Sequence, residues 1–186
     1  MKRALLLLSL SALAAPASPA IAADIAYNFL EIGHFQIEGT SSGPIARVSA
    51  GFGDTGFYGS VGYSRQNFDA AGAGDVDVDV GLAGIGYAHT LVEGTDLNFE
   101  AGYQRADAAG EQVDGYRGSV GVTHMPNDRF VVTARANHYF GGDTEGTLTT
   151  ASFGGEVFFN PIWSLAAEAE LAEGPDAYLL ALHYGF

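Results

Sequence analysis

A run of alternating carboxylates, "DVDVDV", is the stretch of the chain most suggestive of ligand chemistry. Asp75, Asp77 and Asp79 fall on one face of an extended strand, and oxygen-only clusters suit hard cations such as calcium. A calcium-binding loop that began at Asp75 would need glycine at its sixth position and glutamate at its twelfth. Those positions hold Val80 and Gly86. The sequence therefore predicts a solvated acidic collar and no metal site, with a weak divalent-cation site as the less favoured alternative.

The histidines do not form a recognisable catalytic or metal-binding set. They lie on separate predicted strands, without the short spacing of a metal site. Opposite His138 stand Thr147 and Thr149 rather than serine, so no nucleophile, base and orienting group can be assembled. We therefore expect a protein that is not an enzyme, with no catalytic residues, no metal and no cofactor. The five histidines are His34, His89, His124, His138 and His183.

Charge and cysteine content exclude further classes of function. Beyond Arg3 the chain has six arginines, no lysine and 22 acidic residues, a net charge of −16. Such a chain offers little to neutralise nucleic-acid phosphates, so nucleic acid is not an expected partner. Because the chain has no cysteine, it can form neither a disulfide framework nor a thiolate metal site.

The first residues, "MKRALLLLSLSALAAPASPAIAAD", have the pattern of a cleaved secretory signal peptide. Lys2 and Arg3 precede an apolar core from Ala4 to Ala15, and "AIA" ending at Ala22 is a small-x-small cleavage site. The apolar run is too short to span a bilayer as a helix. We therefore expect a signal peptide over residues 1–22 and one domain over residues 23–186.

From Ala23 onwards, extended segments of about 9–14 residues alternate with clusters of Gly, Asp, Asn and Pro, which is typical of a membrane barrel. The sequence predicts an all-β fold: a single antiparallel transmembrane β-barrel of ten strands. Eight strands is the alternative, if the weak second segment and a partner do not both cross. The predicted strands are 24–38, 45–53, 56–67, 76–90, 96–106, 113–124, 129–140, 146–159, 162–172 and 176–186.

Alternation within each segment gives one apolar and one polar face. In the ninth segment, for example, Trp163 and Leu165 alternate with Ser164. A soluble sandwich would alternate in the same way, but the export signal and the aromatic residues near the strand ends favour a membrane barrel. The aromatics predicted for the inner interface are Phe52, Phe57, Tyr87, Phe99, Phe130, Phe159, Trp163, Tyr184 and Phe186. Those predicted for the outer interface are Phe35, Tyr63, Tyr103, Tyr116, Phe140 and Tyr178.

The leader, the alternating segments and the terminal "YLLALHYGF" resemble small Gram-negative outer-membrane β-barrel proteins of the OmpA/OmpX-like superfamily. The stretches "IAYNFLEIGHF", "YGSVGYSRQNF", "GIGYAHTL" and "DLNFEAGYQR" are similar, more narrowly, to the short outer-membrane proteins of xanthomonads. The resemblance implies a multi-pass barrel in the cell outer membrane, in contact with outer-membrane lipids and lipopolysaccharide. It also implies that Tyr184 and Phe186 act as the assembly signal read by the barrel assembly machinery during biogenesis.

Side-chain parity predicts a network of charges inside the barrel. A barrel of this strand number is narrow enough to be filled by side chains, and arginine forks suit carboxylates in a confined space. The predicted function is therefore a non-enzymatic barrel with a charged, largely side-chain-plugged lumen, structural or lipopolysaccharide-interacting. The alternatives are a narrow channel for small solutes or ions and, third, a surface adhesin, although adhesion normally uses long loops. The predicted lumen residues are Glu31, Arg47, Glu100, Arg117, Arg135, Glu156, Glu168 and Glu170.

Two arginines are predicted on the outside of the barrel. Arg65 and Arg105 continue the lipid-facing parity of their strands just beyond the outer aromatic residues. Arginine is suited to phosphate, so a contact with lipopolysaccharide phosphates is one interpretation. The other is that the guanidinium groups reach water without a specific partner.

Overall fold

The chain forms a closed antiparallel β-barrel of ten strands, in a computed structural model that describes residues 27–70, 74–108, 110–141 and 147–186. Each strand pairs with the next, and the last pairs with the first. The predicted fold class and strand number are thereby confirmed, and the eight-strand alternative is not adopted. The strands are β1 Phe29–Ile37, β2 Ser41–Gly51, β3 Phe57–Ala70, β4 Gly74–Val92, β5 Thr95–Ala108, β6 Glu111–Asn127, β7 Phe130–Phe140, β8 Leu148–Asn160, β9 Trp163–Leu171 and β10 Ala177–Gly185.

The predicted signal peptide, residues 1–22, lies outside the described residues. Among the residues that are described, no helix is long and apolar enough to cross a membrane. One short 3-10 turn, Gly53–Thr55, connects β2 to β3.

Strict alternation along the strands puts opposite chemistries on the two faces of the wall. In β7, Val131, Thr133 and Arg135 are buried in the lumen, whereas Phe130 and Val132 are exposed on the outside. An apolar exterior of this kind requires an apolar surrounding, and closure pairs every edge strand so that no backbone edge faces lipid. The sequence pattern thus determines which face of each strand meets the membrane.

We call the end that carries Tyr27 and Phe186 the inner end, since an even number of strands returns the chain to the side from which it started. Aromatic residues surround the exterior near both ends, as interfaces favour. The rings of Trp163 and Tyr184 are 5.0 Å apart near the inner end, and those of Tyr103 and Tyr116 are 5.7 Å apart near the outer end. Two such belts are the expected boundaries of a membrane-spanning band.

The prediction that Phe35 belongs to the outer belt is wrong. Its side chain is only 1% exposed and lies in the lumen. Phe35 shares strand parity with Glu31, which also points inward. Position near a strand end is therefore not sufficient to place an aromatic residue at the membrane interface; the face on which it lies decides.

The barrel wall is taller on one side than on the other. β1, β9 and β10 have nine residues each, about the length that crosses a bilayer. β3 to β6 have 14, 19, 14 and 17 residues. Arg65 and Arg105 lie on two of these longer strands, β3 and β5.

Candidate functional site

The lumen is the part of the barrel where polar chemistry is concentrated, and one side of its outer half is filled by hydrophobic side chains. Phe35, Ile45 and Leu179, from β1, β2 and β10, meet Val78 and Val80 of β4 across the barrel. All of these side chains are almost fully buried. We call this cluster the apolar layer; its members are Phe35, Ile37, Ile45, Phe68, Val78, Val80, Ala106, Ala177, Leu179 and Ala181.

Below the apolar layer, a histidine lies between two carboxylates. His183 Nε2 is 2.7 Å from Glu31 Oε2, and its Nδ1 is 3.1 Å from Glu156 Oε1. Arg47 Nη2 donates to the same Glu31 oxygen over 3.1 Å. Ser164 donates a hydroxyl hydrogen bond to Glu156. These groups come from β1, β2, β8, β9 and β10, so the network links five of the ten strands.

The geometry around His183 has a consequence for its charge. Ionised carboxylates accept hydrogen bonds and donate none, and a neutral imidazole has only one N–H. Both hydrogen bonds of His183 are satisfied together when the ring carries two protons. An imidazolium there, together with Arg47, balances the charges of Glu31 and Glu156.

Two further arginines point into the lumen, each toward a carboxylate. Arg117 pairs with Glu100, which also accepts a hydrogen bond from Tyr58 over 3.4 Å. Arg135 Nη1 lies 3.9 Å from Glu168 Oε2. The structure thus brings the predicted arginines and glutamates together inside the barrel, in three separate arginine–glutamate pairs.

Glu170, the last of the predicted lumen residues, is held by neutral donors rather than by an arginine pair. Its Oε1 accepts hydrogen bonds from Tyr139 over 3.0 Å and from Asn137 over 3.3 Å, and a third from Thr150. Hydrogen bonds of this kind are what allows a buried carboxylate to remain in a narrow lumen.

Sequence reasoning missed several of the residues that fill the lumen. His183, Tyr58 and Tyr139 complete the polar networks, yet none was singled out as a lumen residue. Parity could have found them, because each alternates with lipid-facing neighbours on its strand. The apolar layer was not predicted, because Phe35 was assigned to the outer interface and the inward-facing valines carry no charge that marks them as lumen residues.

A small gap remains among the lumen charges. It measures about 20 Å³ and is lined by Arg47, Glu100 and Arg117 opposite the glycines Gly62 and Gly102. A volume of this size holds about one water molecule.

The outer arginines lie on the exterior, where parity predicted them. Arg65 donates from Nε and Nη2 to the two carboxylate oxygens of Asp79, over 2.8 and 3.0 Å. Arg105 hydrogen-bonds Gln112, and its Nε lies 3.9 Å from Asp114. Both arginines are about half exposed, at 56% and 50% of the side chain. Within the described residues, no group of three or more His, Asp or Glu side chains is placed to hold a metal ion.

The residues of the predicted assembly signal lie at the inner end. Tyr184 and Phe186 face outward, and Phe186 is 61% exposed. The backbone N–H of Phe186 donates to the carbonyl of Asn28 over 3.3 Å. The pairing of β10 with β1, which closes the barrel, therefore continues to Phe186 at the inner end.

No family model matches the chain, and no curated protein matches it. Among solved structures, it is similar to the NanC porin, at 11% identity and a TM-score of 0.56, over 84% of this chain and 100% of that chain. It is similar to the KdgM porin at 11% identity and a TM-score of 0.52, over 85% of this chain and 99% of that chain. The translocator domain of the autotransporter NalP from Neisseria meningitidis gives 14% identity and a TM-score of 0.51, over 100% and 94% of the two chains.

At these identities the likeness concerns the fold. The protein is a multi-pass β-barrel of the outer membrane: the barrel is closed, its exterior is apolar, and the similar folds are outer-membrane barrels. The narrower resemblance to the OmpA/OmpX-like superfamily and to xanthomonad proteins stays a prediction.

Proposed function

We propose that this protein is a non-enzymatic structural barrel of the outer membrane, with a lumen closed by side chains. The observation that carries the proposal is the two-part filling of the lumen. The apolar layer occupies the outer half on one side, and hydrogen-bonded ion pairs occupy the levels below it. Contacts with other molecules would then be made through the outside of the barrel and its two ends.

Energetics support a closed lumen. Opening a path would expose the apolar layer to water, and each fully buried large apolar side chain contributes about 1.5–3 kcal/mol relative to exposure. It would also separate Glu31 from Arg47 and His183, which lie within hydrogen-bond distance of it. Breaking a buried pair by losing one partner costs about 3–5 kcal/mol. Both costs oppose spontaneous opening.

A flux assay tests the proposal. The purified protein is reconstituted into liposomes, and swelling is followed after addition of small sugars, amino acids or salts. We expect swelling no faster than that of protein-free liposomes. Swelling that rises with the amount of folded protein and falls with solute size would contradict the closed lumen.

A narrow channel for small solutes or ions is the second candidate. It is favoured by the similarity in fold to two proteins named as porins, KdgM and NanC. A cavity of about 570 Å³ at the inner end, lined in part by Tyr27 and Asp96, would serve as its vestibule. On this reading the ion pairs of the lumen would be hydrated and would select among ions rather than fill the space.

Lipopolysaccharide is the partner that we propose for the outer surface. The unit Gly-Tyr-x-Arg occurs twice, at Gly62–Arg65 in the β3–β4 hairpin and at Gly102–Arg105 in the β5–β6 hairpin, and its Tyr and Arg lie on the lipid-facing side. In the first, Asp79 occupies the Nε and Nη2 side of Arg65, which leaves Nη1 available for a second acceptor. Arginine commonly binds phosphate through guanidinium N–H groups such as this one.

Binding of purified lipopolysaccharide by the detergent-solubilised protein tests this contact. The Arg65→Gln/Arg105→Gln double variant should bind more weakly than the wild type, most clearly at low salt. Arg129→Gln, at the inner end, is the matched control. Equal binding by all three proteins would contradict the phosphate contact and indicate that the guanidinium groups of the two arginines reach water without a specific partner.

A further inference from the structure

A buried carboxylate at the inner end of the barrel lacks the partners that its charge requires. Asp96, near the start of β5, is only 1% exposed. Its Oδ2 accepts one hydrogen bond, from the Tyr27 hydroxyl over 3.0 Å. Among the described residues, no donor reaches Oδ1, and no ion pair involves this carboxylate. An ionised carboxylate has about four acceptor sites, so most of the hydrogen-bonding capacity of Asp96 is unused.

The deficit persists whichever way the neighbouring amide is oriented. Tyr27 is also 3.0 Å from Asn98 Oδ1, and Asn98 is 2.8 Å from Thr123. If the Asn98 amide is turned over, it donates to the tyrosine oxygen and not to Asp96. The single hydroxyl hydrogen of Tyr27 is then still the one donor that reaches the carboxylate.

Asp96 lines a cavity that can admit a ligand. The cavity measures about 570 Å³ and lies between the start of β1, the β2–β3 turn and the inner ends of β4 and β5. Small-molecule sites commonly occupy about 300–1,000 Å³. Its walls include a second carboxylate, Asp54, and aromatic rings, Tyr27, Phe57 and Tyr87. Tyr27 is fixed by stacking on Tyr58, with ring centroids 4.4 Å apart.

The negative charge of Asp96 and its need for hydrogen-bond donors together define the class of ligand. A buried carboxylate is stabilised by a cation that also donates hydrogen bonds, and aromatic walls attract cations as well. We propose that this cavity, which we call the inner mouth, binds a small organic cation through an ammonium N–H group directed at Asp96. The proposal needs the outer-membrane barrel but not its closed lumen, so it stands apart from the proposed function.

Binding by three probes distinguishes an ammonium donor from positive charge alone. Spermidine carries three protonated amines with N–H donors. Its fully N-methylated analogue carries the same three positive charges without any N–H group, and 1,4-butanediol has neither charge nor ammonium group. Titration calorimetry on the detergent-solubilised protein should give saturable binding of spermidine, weaker binding of the methylated analogue and none of the diol. Absence of spermidine binding overturns the proposal, and so does equal binding of spermidine and its methylated analogue.

Asp96→Asn locates the binding. It should weaken spermidine binding about tenfold or more, because a hydrogen bond to a charged group is worth at least a factor of about ten. Asp128→Asn removes the same charge from an exposed position in the β6–β7 turn and should leave binding unchanged. Equal weakening by both variants would mean general attraction to an acidic protein, and the proposal would fall.

Stability of the unliganded protein separates a ligand site from a structural carboxylate. An amide at position 96 brings donors to a place with surplus acceptors, so Asp96→Asn should keep or raise the unfolding midpoint. Spermidine should raise the midpoint of the wild type, since a ligand that binds only the folded state stabilises it. A variant that unfolds earlier and binds spermidine like the wild type would assign Asp96 a structural role alone.

Discussion

At the scale of single residues, the lumen depends on matched donors and acceptors rather than on the number of charges. Glu31 is fully buried, and it is compensated by Arg47 and His183 on either side. The sequence could predict Glu31 and Arg47 as inward neighbours, because parity and charge are visible in it. It could not show that His183 bridges to Glu156, because that contact joins β10 to β8 across β9.

His183→Leu should destabilise the barrel strongly. The change leaves Glu31 and Glu156 buried with fewer donors, and breaking a buried charge pair costs about 3–5 kcal/mol. Urea unfolding in detergent measures the free energy of unfolding. His183→Gln, which keeps one donor and one acceptor, should recover part of the loss.

The control for this experiment is His138→Leu. His138 lies on the lipid-facing side of β7, where its Nδ1 is 2.9 Å from the Thr149 hydroxyl, and leucine is well suited to lipid. It should change the free energy of unfolding far less. If the lumen is hydrated instead, water screens the charges, and His183→Leu should cost under about 1 kcal/mol.

At the scale of elements, strand order and the face of each strand could be read from the sequence. The period-two alternation predicted all ten strands, and the observed ends of β7, Phe130–Phe140, differ from the prediction by one residue. The filling of the lumen was harder to predict. Val78 and Val80 alternate with Asp77 and Asp79, and the sequence does not say which distant strands their inward side chains will meet.

Phe35→Ala tests the apolar layer. Removing a buried ring leaves a cavity among side chains from several strands, so the free energy of unfolding should fall by about 3–5 kcal/mol. Phe153→Ala removes an equal ring from the lipid-facing side of β8, where Phe153 is 55% exposed. Its effect on urea unfolding should be clearly smaller. Equal losses for the two variants would indicate that Phe35 is not packed in the lumen.

The last strand provides a test of assembly. Phe186→Asp places a charge on the lipid-facing side, which is unfavourable to an extent that depends on depth, and it alters the aromatic end that we predicted to be an assembly signal. Gly185→Asp puts the same charge toward the lumen, where a Cβ has room. The amount of folded protein in outer-membrane fractions should fall much further for Phe186→Asp. Equal amounts would contradict the assembly role.

At the scale of the whole molecule, a barrel with an apolar exterior must be exported before it can take its place in the outer membrane. The prediction of a signal peptide over residues 1–22 implies that the mature chain begins at Ala23. N-terminal sequencing of protein extracted from outer membranes should therefore read Ala-Asp-Ile-Ala. Retention of Met1 in folded, membrane-inserted protein would refute the predicted cleavage.

We propose that the whole barrel spans the outer membrane without conducting. Single-channel recording in a planar bilayer tests it most directly, with a porin inserted into a separate bilayer of the same composition as the positive control. We predict no steady current steps from the wild-type protein at moderate voltages, because the apolar layer and the ion pairs together occupy the lumen. Reproducible, ion-selective steps that appear with insertion of the folded protein would contradict the closed lumen and favour the narrow channel.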